Sequence, residues 1–114
     1  MVRHIESRFQ QAVVNYLRYS KIFCFSVPNG TKLSRTQAIF AKNEGLLAGV
    51  ADLVILLPNA RTVFIEFKSP ERKGGQSPAQ KEFEKKVKEL GFEYYVWHNW
   101  EEVENFVNKD VYSK

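Results

Sequence analysis

Two apolar runs, Ala51 to Leu57 and Thr62 to Phe67, flank the turn-forming cluster Pro58-Asn59-Ala60-Arg61. They read as neighbouring strands of one hairpin, and this constrains the fold more than anything else in the chain. Asp52 stands at the head of the first run and Glu66-Phe67-Lys68 closes the second. Pairing therefore gathers two carboxylates and an ammonium at one end of a sheet. Side chains alternate along a strand, so Glu66 and Lys68 share one face and Phe67 takes the other. Asp52 joins Glu66 only if paired residue numbers sum to an even number. A three-residue loop such as Pro58-Asn59-Ala60 sets Asp52 directly across from Glu66. A loop of two or four residues separates them, so an odd loop or a bulge is expected. Like charges placed this way repel unless a cation lies between them. Two carboxylates beside a lysine supply oxygen ligands for a hard cation and positive charge for a developing oxyanion. Magnesium-dependent phosphodiester hydrolysis needs both.

The other elements frame this hairpin. Residues 3–19 read as an amphipathic helix, with Ile5, Phe9, Ala12, Val13, Tyr16 and Leu17 on one stripe. Lys21 to Val27 reads as a strand ending at the turn signal Pro28-Asn29-Gly30. Residues 34–47 read as a weaker helix with Ser34 as N-cap. Leu53 to Leu57 shows no polar alternation, the pattern of a strand buried on both faces. Ser77 caps a helix over 78–90 with Pro78 in its first turn, and Gly91 closes it. Phe92 to Trp97 is a fourth strand and Trp100 to Asn108 a short terminal helix. The expected order is α-β-α-β-β-α-β-α.

A chain of 114 residues makes one domain, residues 1–114, and a hydrophobic fraction of 44% is enough for a compact core. No apolar run reaches transmembrane length, and the N-terminus lacks the apolar stretch of a signal peptide. Cys24 is the single cysteine and reads as a small core residue. A reducing cytoplasm, bacterial or of a phage-infected cell, fits, with no membrane role. Net charge is +4, with a pI near 9.2, which permits nucleic-acid binding without establishing it. The charge is polarised. Asn29 to Lys42 carries Lys32, Arg35 and Lys42 with no acid, Arg72 and Lys73 follow Lys68, and acids gather in the C-terminal third. Asn29, Lys32, Arg35 and Lys73, flanking the hairpin on an acid-poor face, are the candidates for DNA-backbone contacts.

Two further residues stand out. Glu6 falls inside the apolar stripe of the first helix, where an unpaired carboxylate is costly. Either it serves the carboxylate site or it frays into solvent at the helix start, and its position leaves both readings open. Gln80 completes the capping-box pattern Ser77-Pro78-Ala79-Gln80, so it can bond back to the Ser77 amide, orient water or phosphate, or do both. Asn29-Gly30 taken alone reads as a turn. His4 and His98 have no metal-ligand spacing, and Trp97 and Trp100 read as core or interface anchors.

On Val27-Pro28-Asn29-Gly30, Gly45 through Gly49-Val50-Ala51-Asp52, Glu66-Phe67-Lys68 and Gln76-Ser77-Pro78-Ala79-Gln80, the chain resembles the stand-alone VRR-Nuc domains of the PD-(D/E)xK nuclease superfamily. These pieces run from Val27 to Gln80 in family order. Ala51 departs from the proline usual before the aspartate, a change in backbone shape rather than chemistry. The resemblance implies a restriction-endonuclease-like α/β fold, a mixed sheet flanked by helices. It implies that Asp52, Glu66 and the Phe67 carbonyl bind Mg²⁺ or Mn²⁺. It also implies that Lys68 stabilises charge or orients water, that Gln80 is the signature polar residue after the sheet, and that Glu6 sits near the metal. The implied activity is a metal-dependent endonuclease acting on DNA, branched DNA such as Holliday junctions above all, as a homodimer. The Trp97 to Val107 segment and the first helix are the candidate dimer contact. The alternatives are a flap or duplex-end nuclease, or a non-catalytic DNA-binding module on the same fold.

Overall fold

A computed structural model of the chain describes residues 2–28, 33–69 and 75–111. Its elements are α1 (Val2–Tyr19), β1 (Phe23–Ser26), α2 (Arg35–Asn43), β2 (Leu53–Leu57), β3 (Arg61–Phe67), α3 (Pro78–Glu89), β4 (Glu93–Trp97) and α4 (Trp100–Asn105). This is the order expected from the sequence. The terminal helix differs in one respect: α4 runs on as a π-helical segment, Phe106–Val111. There Phe106 and Val107 are both buried, and Arg61 Nη1 donates to the Asp110 carbonyl at 2.9 Å.

The sheet order is β1-β2-β3-β4, antiparallel except for the β3–β4 pair, which is parallel. For the last three strands the connections account for this: the tight β2–β3 turn can only return a strand antiparallel, whereas α3 is a crossover that brings β4 back parallel to β3, and β1, joined to β2 through α2, pairs with it antiparallel. The hairpin closes at Leu57 opposite Arg61, leaving the three-residue loop Pro58-Asn59-Ala60. Asn59 and Ala60 both sit in the left-handed region, at φ 65° and 62°. Asparagine tolerates that region, whereas an alanine Cβ is strained by about 1–2 kcal/mol. Ala60→Gly is therefore expected to stabilise the fold by about 0.5–1 kcal/mol after the extra freedom of glycine in the unfolded chain. Thermal melting checks this, and a lower Tm would contradict the turn geometry.

The register divides the hydrophobic residues between two faces. Cys24, Leu53, Ile55, Val63, Ile65, Phe67 and Trp97 face α1 and α4 and form the main core with Val13, Leu17, Val103, Phe106 and Val107. The opposite face carries a smaller cluster of Ala51, Val87 and Tyr94, with Phe64, Phe83 and Val96 against it, beneath α3. Helix α3 covers only the β3–β4 half of this face. On the β1–β2 half, Phe23, Phe25 and Leu56 remain 64%, 41% and 40% exposed. This corrects the expectation that the β2 run is buried on both faces: its first three residues are, and Leu56 is not. Helix α2, held by a Ser34–Gln37 capping box, buries none of its residues, and Ile39 and Phe40 are exposed.

Of the segment expected to form a dimer contact, four residues are taken up by the core and Trp100 stays 40% exposed. Trp97, Val103, Phe106 and Val107 fill the chain's own core. Trp100 packs edge-on against Phe9 and Tyr16 of α1, at centroid distances of 5.8 and 5.7 Å. Among the described residues no helix is long and apolar enough to cross a membrane.

Candidate active site

The hairpin register sets the first part of the site. Leu53 pairs with Ile65, so one step further Asp52 lies across from Glu66, as the three-residue loop requires. The Asp52 carbonyl accepts from the Val27 amide at 2.9 Å, and Asp52 Oδ2 accepts from the Phe67 amide at 2.9 Å. The carboxylate is thus fixed to β3 by the backbone next to Glu66. Phe67 turns its ring into the core, edge-on to Phe9 and Trp97, which holds Glu66 and Lys68 on the opposite face. Both of these charged residues are buried, at 3% and 6% exposure.

Burial at this density has an electrostatic consequence. Desolvation raises the proton affinity of the Asp52 carboxyl, and the Phe67 amide opposes that rise. Glu66 is pushed up to about 8, first by burial and next by the charge of Asp52, while Lys68 pulls it down. The Lys68 ammonium stands 3.8 Å from Glu66 Oε2, too far for a close ion pair. Glu66 Oε1 is buried and meets no hydrogen-bond donor among the described residues. A buried acceptor facing a second carboxylate needs a proton or a cation. Among the described residues no third His, Cys, Asp or Glu joins the pair as a metal cluster. The oxygen donors brought together here are therefore the Asp52 and Glu66 carboxylates, an all-oxygen set. It suits Mg²⁺ or Mn²⁺, which take one or two carboxylates and keep several waters, and it does not suit a closed tetrahedral zinc site.

Gln80, on the first turn of α3, joins the charged pair. Its Oε1 accepts from Lys68 Nζ at 3.0 Å and from the Ser77 amide at 2.8 Å, and its Nε2 donates to Glu66 Oε2 at 2.7 Å. Two donors at one end and a carboxylate at the other fix the orientation of the amide. Gln80 thus closes the expected capping box and, beyond it, bridges Glu66 to Lys68.

Glu6 comes from the other face. It is half-buried on α1, and its Oε2 accepts from the amide of buried Ser69, one residue past Lys68, at 3.1 Å. The carboxylate is tied to the end of β3 rather than frayed into solvent, and its charge raises the proton affinity of both Asp52 and Glu66. Glu6→Gln keeps an acceptor for Ser69 and removes that charge. The expected result is a metal-free Tm within about 2 °C of the natural chain and a smaller rise on adding Mn²⁺. A Mn²⁺-induced rise of unchanged size would make Glu6 a structural tie only.

The fold thus brings Asp52, Glu66, Lys68 and Gln80 together on the α3 side, with Glu6 reaching the strand end from α1. Of the candidate DNA contacts, Arg35 is the exposed first residue of α2, while Asn29, Lys32 and Lys73 lie outside the described residues. Reading the sequence missed two neighbours. Ser69 carries no motif, so nothing in the sequence marks its amide. Tyr94 lies on the Glu66 face, and its hydroxyl accepts from Gln76 Nε2 at 3.0 Å. Burial, then Glu66, drives its pKa upward. Only the parallel register of β4 reveals that placement.

A mixed sheet with a carboxylate heading one strand, Glu-Phe-Lys ending the next and a glutamine on the following helix defines the class of PD-(D/E)xK nucleases. Within that class the chain belongs to the VRR-NUC domain family, whose model matches residues 2–100. A solved structure described as a VRR_NUC domain protein is 23% identical with a TM-score of 0.74, over 93% of this chain and 87% of that one. Another, described as a VRR_NUC domain, is 16% identical with a TM-score of 0.64, over 91% of this chain and 95% of that one. No curated protein matches the chain. The family is one of nucleases.

Proposed function

We propose that the chain is a Mg²⁺- or Mn²⁺-dependent endodeoxyribonuclease that hydrolyses phosphodiester bonds in branched DNA, four-way junctions above all. The observation that carries the nuclease reading is the Asp52–Glu66 pair, with the buried Glu66 Oε1 meeting no donor among the described residues, beside Lys68 and Gln80. Asp52, Glu66 and the Phe67 carbonyl hold the cation in this reading. When bound, it supplies Lewis acidity toward the scissile phosphate and toward water. The chain's own residues do the rest. Gln80 keeps Lys68 Nζ beside Glu66, so the ammonium is held in a water-poor site where charge grows on the phosphoryl oxygens. Lys68→Ala is expected to lower the single-turnover rate at saturating Mn²⁺ at least about a hundredfold. Calorimetric Mn²⁺ affinity should change little, because the ammonium is no ligand. An unchanged rate would remove Lys68 from the mechanism.

The branched substrate and a homodimer belong together in this proposal, since two-fold symmetry matches a junction with paired scissile bonds. Among the exposed apolar residues, Phe23, Phe25 and Leu56 on the uncovered half of the sheet, with Ile39 and Phe40 on α2, are the ones we assign to a contact between copies. Backbone contacts from Asn29, Lys32, Arg35 and Lys73 would read DNA shape and weaken with salt. Cleavage of synthetic four-way, flap and linear DNA, with Mn²⁺ and with EDTA, is the test, alongside sedimentation of the natural chain and Phe23→Glu. Preferential Mn²⁺-dependent cutting of junctions by a dimer that Phe23→Glu weakens supports the whole reading. A monomer that cuts linear duplex as fast as junctions leaves a metal-dependent nuclease only. Binding without cutting would make the chain a DNA-binding module.

A further inference from the structure

We propose that Gly49 is a positioning residue of the nuclease site. It lets the backbone that leads into Asp52 lie against the first turn of α3 and so sets Gln80 between Glu66 and Lys68. The inference rests on the nuclease reading for its effect on rate, though not for its geometry. Gly49 has φ 84°, in the region that favours glycine. A Cβ there would penetrate the Ala79 peptide carbonyl and stand 2.7 Å from the Gln80 nitrogen. All of these atoms are backbone, so no rotamer change can make room. Relief requires the start of α3 to move away from the Asp52 strand.

That shift bears directly on Gln80, whose own backbone nitrogen is one of the contacted atoms. Its side chain spans 2.7 Å to Glu66 Oε2 and 3.0 Å to Lys68 Nζ, and both bonds depend on where its Cα stands above the sheet. A displacement on the order of 1 Å breaks such bonds and can cost about a hundredfold in rate. Ala51, two residues on, is fully buried in the small cluster beneath α3, so the same stretch of chain also seats the helix body. Gly45 supplies the control. It too has a positive φ, 113°, yet a Cβ there meets nothing within 4 Å. Gly45→Ala pays the backbone strain without the contact.

The test compares Gly49→Ala, Gly45→Ala, Gln80→Ala and Gly49→Ala/Gln80→Ala, in the natural chain and in an Ala60→Gly background for stability. One readout is the Gln80 side-chain amide resonance in metal-free protein, which a hydrogen bond to a buried carboxylate displaces from the solvent value. The other is the single-turnover cleavage rate at saturating Mn²⁺. Gly49→Ala should bring the Gln80 resonance to the solvent value and lower the rate about tenfold or more, while Gly45→Ala changes neither. In the Gln80→Ala background, Gly49→Ala should cost less than about twofold, because both changes act through one group. An unmoved Gln80 resonance overturns the proposal, as do fully additive rate losses or a Gly49→Ala chain that fails to fold even with Ala60→Gly. Should the natural chain cut no DNA, the nuclease reading fails by itself and the resonance still decides the role of Gly49.

Discussion

Asp52→Asn and Glu66→Gln are each expected to reduce Mn²⁺-dependent DNA cleavage by at least about a thousandfold while DNA binding survives or tightens. The two halves of this expectation have separate causes. In the proposed reading each substitution replaces an anionic oxygen ligand with a neutral amide, which a hard cation binds poorly. Each also removes negative charge from a buried site that a phosphate must approach. The backbone hydrogen bond at Asp52 Oδ2 can be kept by the amide oxygen of asparagine, so Asp52→Asn tests charge rather than folding. Cleavage and band-shift affinity on one junction give both readouts. Either variant retaining near-normal cleavage would end the assignment of the site to this pair.

The site was legible where local rules act and opaque where long-range contacts decide. A turn of Pro58-Asn59-Ala60 fixes a loop length, a loop length fixes a register, and the register puts Asp52 across from Glu66. Strand alternation then separates Glu66 and Lys68 from Phe67. Ser77 to Gln80 announces a capped helix, and the cap survives in the structure. Glu6 could not be decided from the stripe alone, because its partner, the Ser69 amide, lies 63 residues away. The glycines posed the same difficulty. Gly45 and Gly49 look alike in the sequence, and only the seating of α3 distinguishes one in open space from one against another backbone. The terminal segment shows the same limit: its aromatic and apolar residues suit an interface and a core equally well, and the core takes Trp97, Val103, Phe106 and Val107 while Trp100 stays exposed.

The second large effect concerns stability of the metal-free protein. Glu66 has a folded pKa of about 8 against an ordinary value of 4.5, and Asp52 is raised as well. A carboxyl whose pKa rises on folding binds its proton more tightly in the folded state. Its contribution is fully present below about pH 4.5 and is lost as pH rises through about 8. Metal-free protein should therefore lose a few kcal/mol, on the order of 10 °C in Tm, across that window. Burial also raises Cys24 and Tyr94, but their ordinary values of 9.0 and 10.0 place them above it. Mn²⁺ competes with the proton for the same oxygens, so the Tm gain on adding it should grow with pH over the interval where the metal-free protein weakens. Glu66→Gln removes the ionising group and keeps the shape. It should flatten the metal-free pH dependence, raise Tm at pH 8 relative to the natural chain, and abolish most of the Mn²⁺ gain. Melting curves from pH 4.5 to 8.5, with EDTA and with Mn²⁺, measure all three. A natural chain whose metal-free Tm rises toward pH 8 would show that folding does not raise the proton affinity of Asp52 and Glu66.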